Sequence, residues 1–134
     1  MTDINTIIDE SLRDCEELII KLNQDQLYES GIVDIKNPGK QEKYAPSTIR
    51  QKRKAPFNKT EFITLKWSGD FHESFKVIYF ADRLVVQSPD LKWSNWLEGR
   101  FPNALGLTDE NIAILRDEFK EKFLRRLKNE LRIA

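Results

Sequence analysis

Asp70, His72 and Glu73 stand close together and have the makings of acid–base chemistry. An acid that orients an imidazole is a common start to such a site. On a short helix, however, residues two apart point to different sides, so Asp70 and His72 do not make a dyad. His72 reads as a satisfied surface or interface histidine. It is the one histidine and Cys15 the one cysteine, too few to hold a His/Cys metal cluster within one chain. Cys15 falls on the apolar stripe of a helix and reads as a small buried hydrophobe. Ser68-Gly69-Asp70 lacks the second glycine and the strand context of a nucleophile elbow. The chain has no phosphate loop and no Gly-rich dinucleotide fingerprint. No catalytic, metal-binding or cofactor-binding residue is assigned, and no cofactor or small-molecule substrate is expected.

Charge offers more. Arg50-Gln51-Lys52-Arg53-Lys54 could contact phosphate, although such a run is most often a solvated face. Its aromatic neighbours are Tyr44 and Phe57, which do not make a stacking platform. Arg50, Lys52, Arg53 and Lys54 are the expected contacts to a partner or to DNA, joined by Trp93 and Trp96 as interface packing. Residues 44–59 read as a cationic projection that orders on assembly. Trp67, Ser68, Gly69 and Phe71 form a structural corner that launches a hairpin, with Trp67 and Phe71 packed under the last helix.

These residues must be placed by a few elements. Thr2 or Asp3 caps a first helix whose apolar residues Ile4, Ile7, Ile8, Leu12, Cys15, Leu18, Ile19 and Leu22 share one face. Residues 23–43 read as loop, with a short extended piece near 32–35. Pro46 starts a short helix over about residues 46–53. Residues 61–66 read as a strand or extended segment, and Ser68 as the cap of a one- or two-turn helix through Ser74. The β-branched and aromatic runs at 75–80 and 84–88 make a β-hairpin. Trp93, Trp96 and Leu97 fit a short helix ending near Gly99. Leu107-Thr108-Asp109-Glu110-Asn111-Ile112 is a helix start: Thr108 caps, and Leu107 with Ile112 staples. The helix it opens covers about residues 109–131, with Ile112, Leu115, Phe119, Phe123, Leu127 and Leu131 on one face. The fold class is α+β: an N-terminal helix, a basic arm with a short helix, a small antiparallel sheet built on the hairpin at about 75–88, and a long C-terminal helix.

The chain has 134 residues, 40% hydrophobic and 33% charged, with zero formal net charge. One domain over 1–134 is expected, with an extended loop or arm at about 31–60. Zero hides an asymmetry. Residues 1–30 hold eight acids (Asp3, Asp9, Glu10, Asp14, Glu16, Glu17, Asp25, Glu29) and two bases (Arg13, Lys21). Residues 36–66 hold nine bases (Lys36, Lys40, Lys43, Arg50, Lys52, Arg53, Lys54, Lys59, Lys66) and two acids (Glu42, Glu61). An acidic helix beside a basic arm suits head-to-tail contact between copies, or else marks two solvated faces. The first residues lack the basic and apolar regions of a secretory signal. No apolar run approaches the roughly 18 residues that span a bilayer, so cytoplasmic synthesis and no membrane contact are expected.

Three motifs, in order, carry a resemblance. They are Ala45-Pro46-Ser47-Thr48-Ile49-Arg50-Gln51-Lys52, then Leu65-Lys66-Trp67-Ser68-Gly69-Asp70-Phe71-His72-Glu73-Ser74-Phe75, then Ala104-Leu105-Gly106-Leu107-Thr108-Asp109-Glu110. With a hairpin and an aromatic segment between the last two, the order resembles the phage virion-morphogenesis family, the tail-completion or neck proteins that join head to tail. Residues 93–99 and 100–103 depart from that family's pattern. The resemblance implies a structural virion protein of a tailed bacteriophage or prophage, made in the bacterial cytoplasm. It would form a ring at the head–tail joint or tail end, meet other head–tail or tail proteins, and touch DNA non-specifically in the channel. The alternative is a small nucleic-acid-binding regulatory protein that uses residues 50–54.

Overall fold

The computed structural model describes residues 3–133, with side chains to residue 132. Asp3 caps α1 (Ile4–Asp14) by accepting from the Asn5 amide at 3.3 Å. Thr2, the other expected cap, lies outside the described residues. The single first helix of the sequence reading is two helices. The helix breaks at Cys15, whose amide donates to Leu12 three residues back, and α2 (Glu16–Tyr28) follows. The Ser11 hydroxyl donates to the Ile7 carbonyl at 2.6 Å, a back-bond of the kind that bends helices. With the break, α1 packs on the last helix, and α2 packs on both the hairpin and the last helix.

Residues 23–28 are helix rather than loop because the polar side chains there work inside the molecule. Asn23 and Gln26 are buried. Asn23 donates to the Ala104 carbonyl at 3.0 Å and accepts from the Gly106 amide at 2.8 Å. Gln26 donates to the Gly106 carbonyl and accepts from the Thr108 amide and the Asn111 side chain. Two amides thus clamp the loop that starts the last helix onto α2.

α3 (Pro46–Lys52) forms where Pro46 sets the first turn. The residues on both sides of it are neither strand nor free projection. Ile35 donates its amide to Asn103, Ile63 to Glu42 and Phe57 to Trp67, which ties the segment to the body. Residues 61–66 add no strand, and 32–35 add none either. The sheet among the described residues is β1 (Lys76–Tyr79) antiparallel to β2 (Leu84–Gln87). Its register pairs Val77 with Val86, both buried, and Ile78 with Val85 on the opposite face. Ser74 and Ser88 bond through their hydroxyls at 2.5 Å at the open end of the hairpin.

α4 (Asp70–Glu73) precedes the hairpin, and a wide turn at Trp93–Leu97 runs into α5 (Glu98–Arg100) after it. α6 (Asp109–Ile133) closes the chain, and Thr108 Oγ1 accepts from the Asn111 amide as expected of its cap. One core joins Cys15, Ile19, Leu27, Ile63, Phe71, Val86 and Trp93, with Leu115 and Phe119 of α6 packed against it. The far half of α6 leaves this core and runs with α1. Arg126 binds Asp14 at 2.6 and 2.9 Å and Glu10 at 2.8 Å. These bonds and charges hold the Asp14 carboxyl below its usual range and raise the Arg126 guanidinium. The pair ends in a two-helix tip that exposes Ile4, Ile8, Leu124 and Leu131. No helix among the described residues is long and apolar enough to cross a membrane.

Candidate partner interface

The corner is built around a buried lysine. Lys52 was expected on the surface as a contact, and it is 0% exposed. Its ammonium donates to the carbonyls of Phe57 and Lys66 (2.8 Å to the latter). It lies 5.5 Å from the Tyr44 ring centre and 5.7 Å from that of Trp67. Aromatic faces and carbonyl dipoles offset its lost hydration. Burial pushes its pKa down. Two more lysines of the basic stretch are also turned inward. Lys59 donates to the Tyr28 carbonyl and sits 4.5 Å over Phe62, and Lys66 sits 4.2 Å over Phe57. Sequence spacing hides this, because the inward turn of both lysines depends on Tyr28, which lies more than thirty residues upstream.

Gly69 holds φ +98°, and a Cβ there would stand 2.9 Å from Phe57 Cε2. The left-handed step and the close approach both demand glycine. Gly69, not Ser68, is the cap position of α4; the Ser68 hydroxyl accepts from the Asp70 amide at 3.4 Å. Leu65, also left-handed at φ +58°, buries its side chain. Phe71 stacks on Trp93 with centroids 5.6 Å apart and meets Phe75 edge-on at 4.9 Å. Phe71 thus packs on the Trp93 turn, within the core on which α6 rests, and Trp67 stays 37% exposed rather than packed under α6.

His72 is 1% exposed, where a surface or interface position was expected. Nε2 lies 2.9 Å from the Thr64 carbonyl, so it carries the proton and donates. Nδ1 is buried without a partner. Burial first, and the nearby Lys66 and Lys52 charges as well, lower its pKa to about 4. Asp70 and Glu73 stay at the surface, so the structure separates the three residues that could have done acid–base chemistry.

Trp93 and Trp96 also part. Both were expected at an interface, yet Trp93 is buried and Trp96 is 62% exposed. The Glu98 amide reaches back five residues to Trp93, which widens the turn. Each residue of such a turn advances less than the roughly 100° of an α-helix. Trp93 and Leu97 therefore share the inner face, while Trp96 swings out.

The outcome is a groove that joins the corner residues to the tryptophan turn. Trp67, Gly69 and Phe71 line one side, Trp96 and Leu97 another, and Thr48 and Gln51 of α3 close it. Its volume is about 530 Å³. Among the described residues that line it, Lys92 alone is charged. Arg50 on α3, and Arg53 and Lys54 just after it, are exposed and do not line the groove. The sequence reading grouped Trp96 with the basic run as partner contacts and set Trp67, Gly69 and Phe71 apart as a structural corner; the structure places Trp96 beside those corner residues instead. No protein-family model, no curated protein and no solved structure matches the chain.

Proposed function

We propose that the chain is a structural subunit of a tailed bacteriophage or prophage particle, closing into a ring at the head–tail joint or tail end. The role is assembly rather than catalysis, and the partners are further copies and neighbouring head–tail or tail proteins. One observation carries this reading: large apolar side chains are exposed on separate surfaces of a folded chain. Trp67 and Trp96 flank the groove, Ile4 and Ile8 stand on the two-helix tip, and Ile78 and Phe80 lie on the hairpin. Ring closure needs two different patches per subunit, because head-to-tail contacts join unlike surfaces. The hairpin adds a third opportunity. β2 has no strand on its outer edge among the described residues, and an apolar hollow lined by Leu84, Val85, Leu107 and Ile112 runs beside it. A neighbour's strand could extend the sheet there. The order of the three sequence motifs supports the same reading. Negative-stain electron microscopy of the purified protein tests it: closed rings are expected, and a field of monomers would overturn it.

The nucleic-acid reading keeps one specific observation in its favour, the exposed patch of Arg50, Arg53 and Lys54. Three phosphate contacts would give a salt slope of about −2.7 on duplex DNA. The test is duplex binding by the wild type and by a triple alanine variant of those residues. Lys52 is left alone, because its removal would disturb the corner.

A further inference from the structure

Among the described residues, His72 Nδ1 is the buried side-chain nitrogen left without a hydrogen-bond partner. Aromatic rings enclose it. The imidazole stacks on Phe75 with centroids 5.3 Å apart and meets Phe71 edge-on at 5.9 Å. Nε2 donates to the Thr64 carbonyl, and the His72 carbonyl accepts from Gln24 of α2 at 2.8 Å. The charges that act on the ring are those of Lys66 and, from α3, Lys52, both positive. The acids of α4, Asp70 and Glu73, are exposed, and α2 presents the neutral Gln24. A second proton on the ring would create a buried N–H with no acceptor, and a buried cation near two others. Both are unfavourable.

The segment on the other side of the Nε2 contact is lightly braced. Residues 53–69 are neither helix nor strand. Thr64 is fully buried; its amide donates to the Tyr44 hydroxyl at 3.0 Å, and its own hydroxyl accepts from the Lys66 amide at 3.2 Å. Leu65 follows in the left-handed region, which disfavours a side chain, so release of the segment would relieve it. A chain of contacts therefore runs from His72 through Thr64 and Tyr44 to Lys52, and Lys52 holds the segment at Phe57 and Lys66.

We infer that the His72–Thr64 contact is an acid-sensitive latch: protonation of His72 releases residues 57–66 from α4 while the hairpin and α6 stay folded. Leu65 and Trp67 line the groove, so the latch couples the shape of that surface to pH. The latch is closed with the ring neutral. Burial lowers the histidine pKa from 6.5 to about 4, so closure is fully favoured above 6.5 and weakens as pH falls towards 4. Release restores the free basicity of the ring, so the open population rises about tenfold per pH unit in that window. The latch does not depend on the ring-forming role.

Native-state hydrogen exchange followed by NMR, with rates referred to the intrinsic rate at each pH, tests it. The Ile63 and Thr64 amides should be less protected than those of β1 and β2 at every pH. Their protection should fall about tenfold per unit from pH 6.5 towards 4. In His72→Gln, whose side-chain amide can donate to Thr64 but takes no proton, the opening should persist and its pH dependence vanish. The imidazole shifts of the wild type need no variant: the ring should stay neutral well below pH 6.5. Equal protection in segment and hairpin would mean that the fold opens only as a whole, and would overturn the latch. So would protection that ignores pH, a pH dependence that survives in His72→Gln, or a ring that titrates near 6.5 in the folded protein.

Discussion

His72 and Lys52 show how single residues here are governed by burial. Each is a basic group taken out of water, and burial lowers the pKa of both. For His72 the folded pKa of about 4 lies below the free value of 6.5. A base shifted down favours its neutral form in the fold. Its stabilising effect is complete above pH 6.5 and is lost as pH falls from 6.5 to about 4, on the order of 3 kcal/mol in all. Urea midpoints measured across that window should fall, and fall less in a His72→Phe variant. Lys52 is tested by substitution. Lys52→Met strands the carbonyls of Phe57 and Lys66, each costing about 1–3 kcal/mol. Arg53→Ala, one residue on but exposed, should stay within about 0.5 kcal/mol of the wild type by the same urea titration. The sequence could not separate these neighbours. A five-residue charged run has no internal mark of which member turns inward, because Tyr44 and Trp67 reach Lys52 from either side of it.

At the scale of elements, the hairpin, α3 and α6 were legible because local rules decide them. Alternation in 75–88, proline at the start of α3 and the Thr108 cap are all short-range signals. What was not legible depends on remote segments. The stripe from Ile4 to Leu22 is continuous, yet the helix breaks at Cys15, and only its second half meets the hairpin. Asn23 and Gln26 look like a helix end, yet they hold residues 104–111 from across the fold. Gln26→Leu removes both bonds to the Gly106–Thr108 backbone. It should cost about 2–4 kcal/mol and speed amide exchange at the start of α6 more than in β1 and β2. Gly69→Ala combines strain at φ +98° with the Phe57 contact and should cost at least about 1 kcal/mol, read as a lowered melting temperature. The wide turn at Trp93–Leu97 was likewise hidden. Helical spacing grouped Trp93 with Trp96, and an extra residue in the turn divides them between core and groove.

At the scale of the whole molecule, the charge asymmetry of the sequence is partly spent within one chain. Glu10 and Asp14 hold Arg126, and Lys52, Lys59 and Lys66 lie on aromatic rings and carbonyls. What remains at the surface includes an apolar tip, an apolar groove, Ile78 and Phe80 of the hairpin, and the exposed bases Arg50, Arg53 and Lys54. The head-to-tail ring proposed above rests on exposed apolar residues that lie on separate surfaces of the chain. Light-scattering mass over rising protein concentration tests that claim most directly. A subunit of a ring should approach a fixed mass several times the 15.8 kDa of one chain, with no stop at two. A mass that stays at 15.8 kDa at every concentration would contradict it.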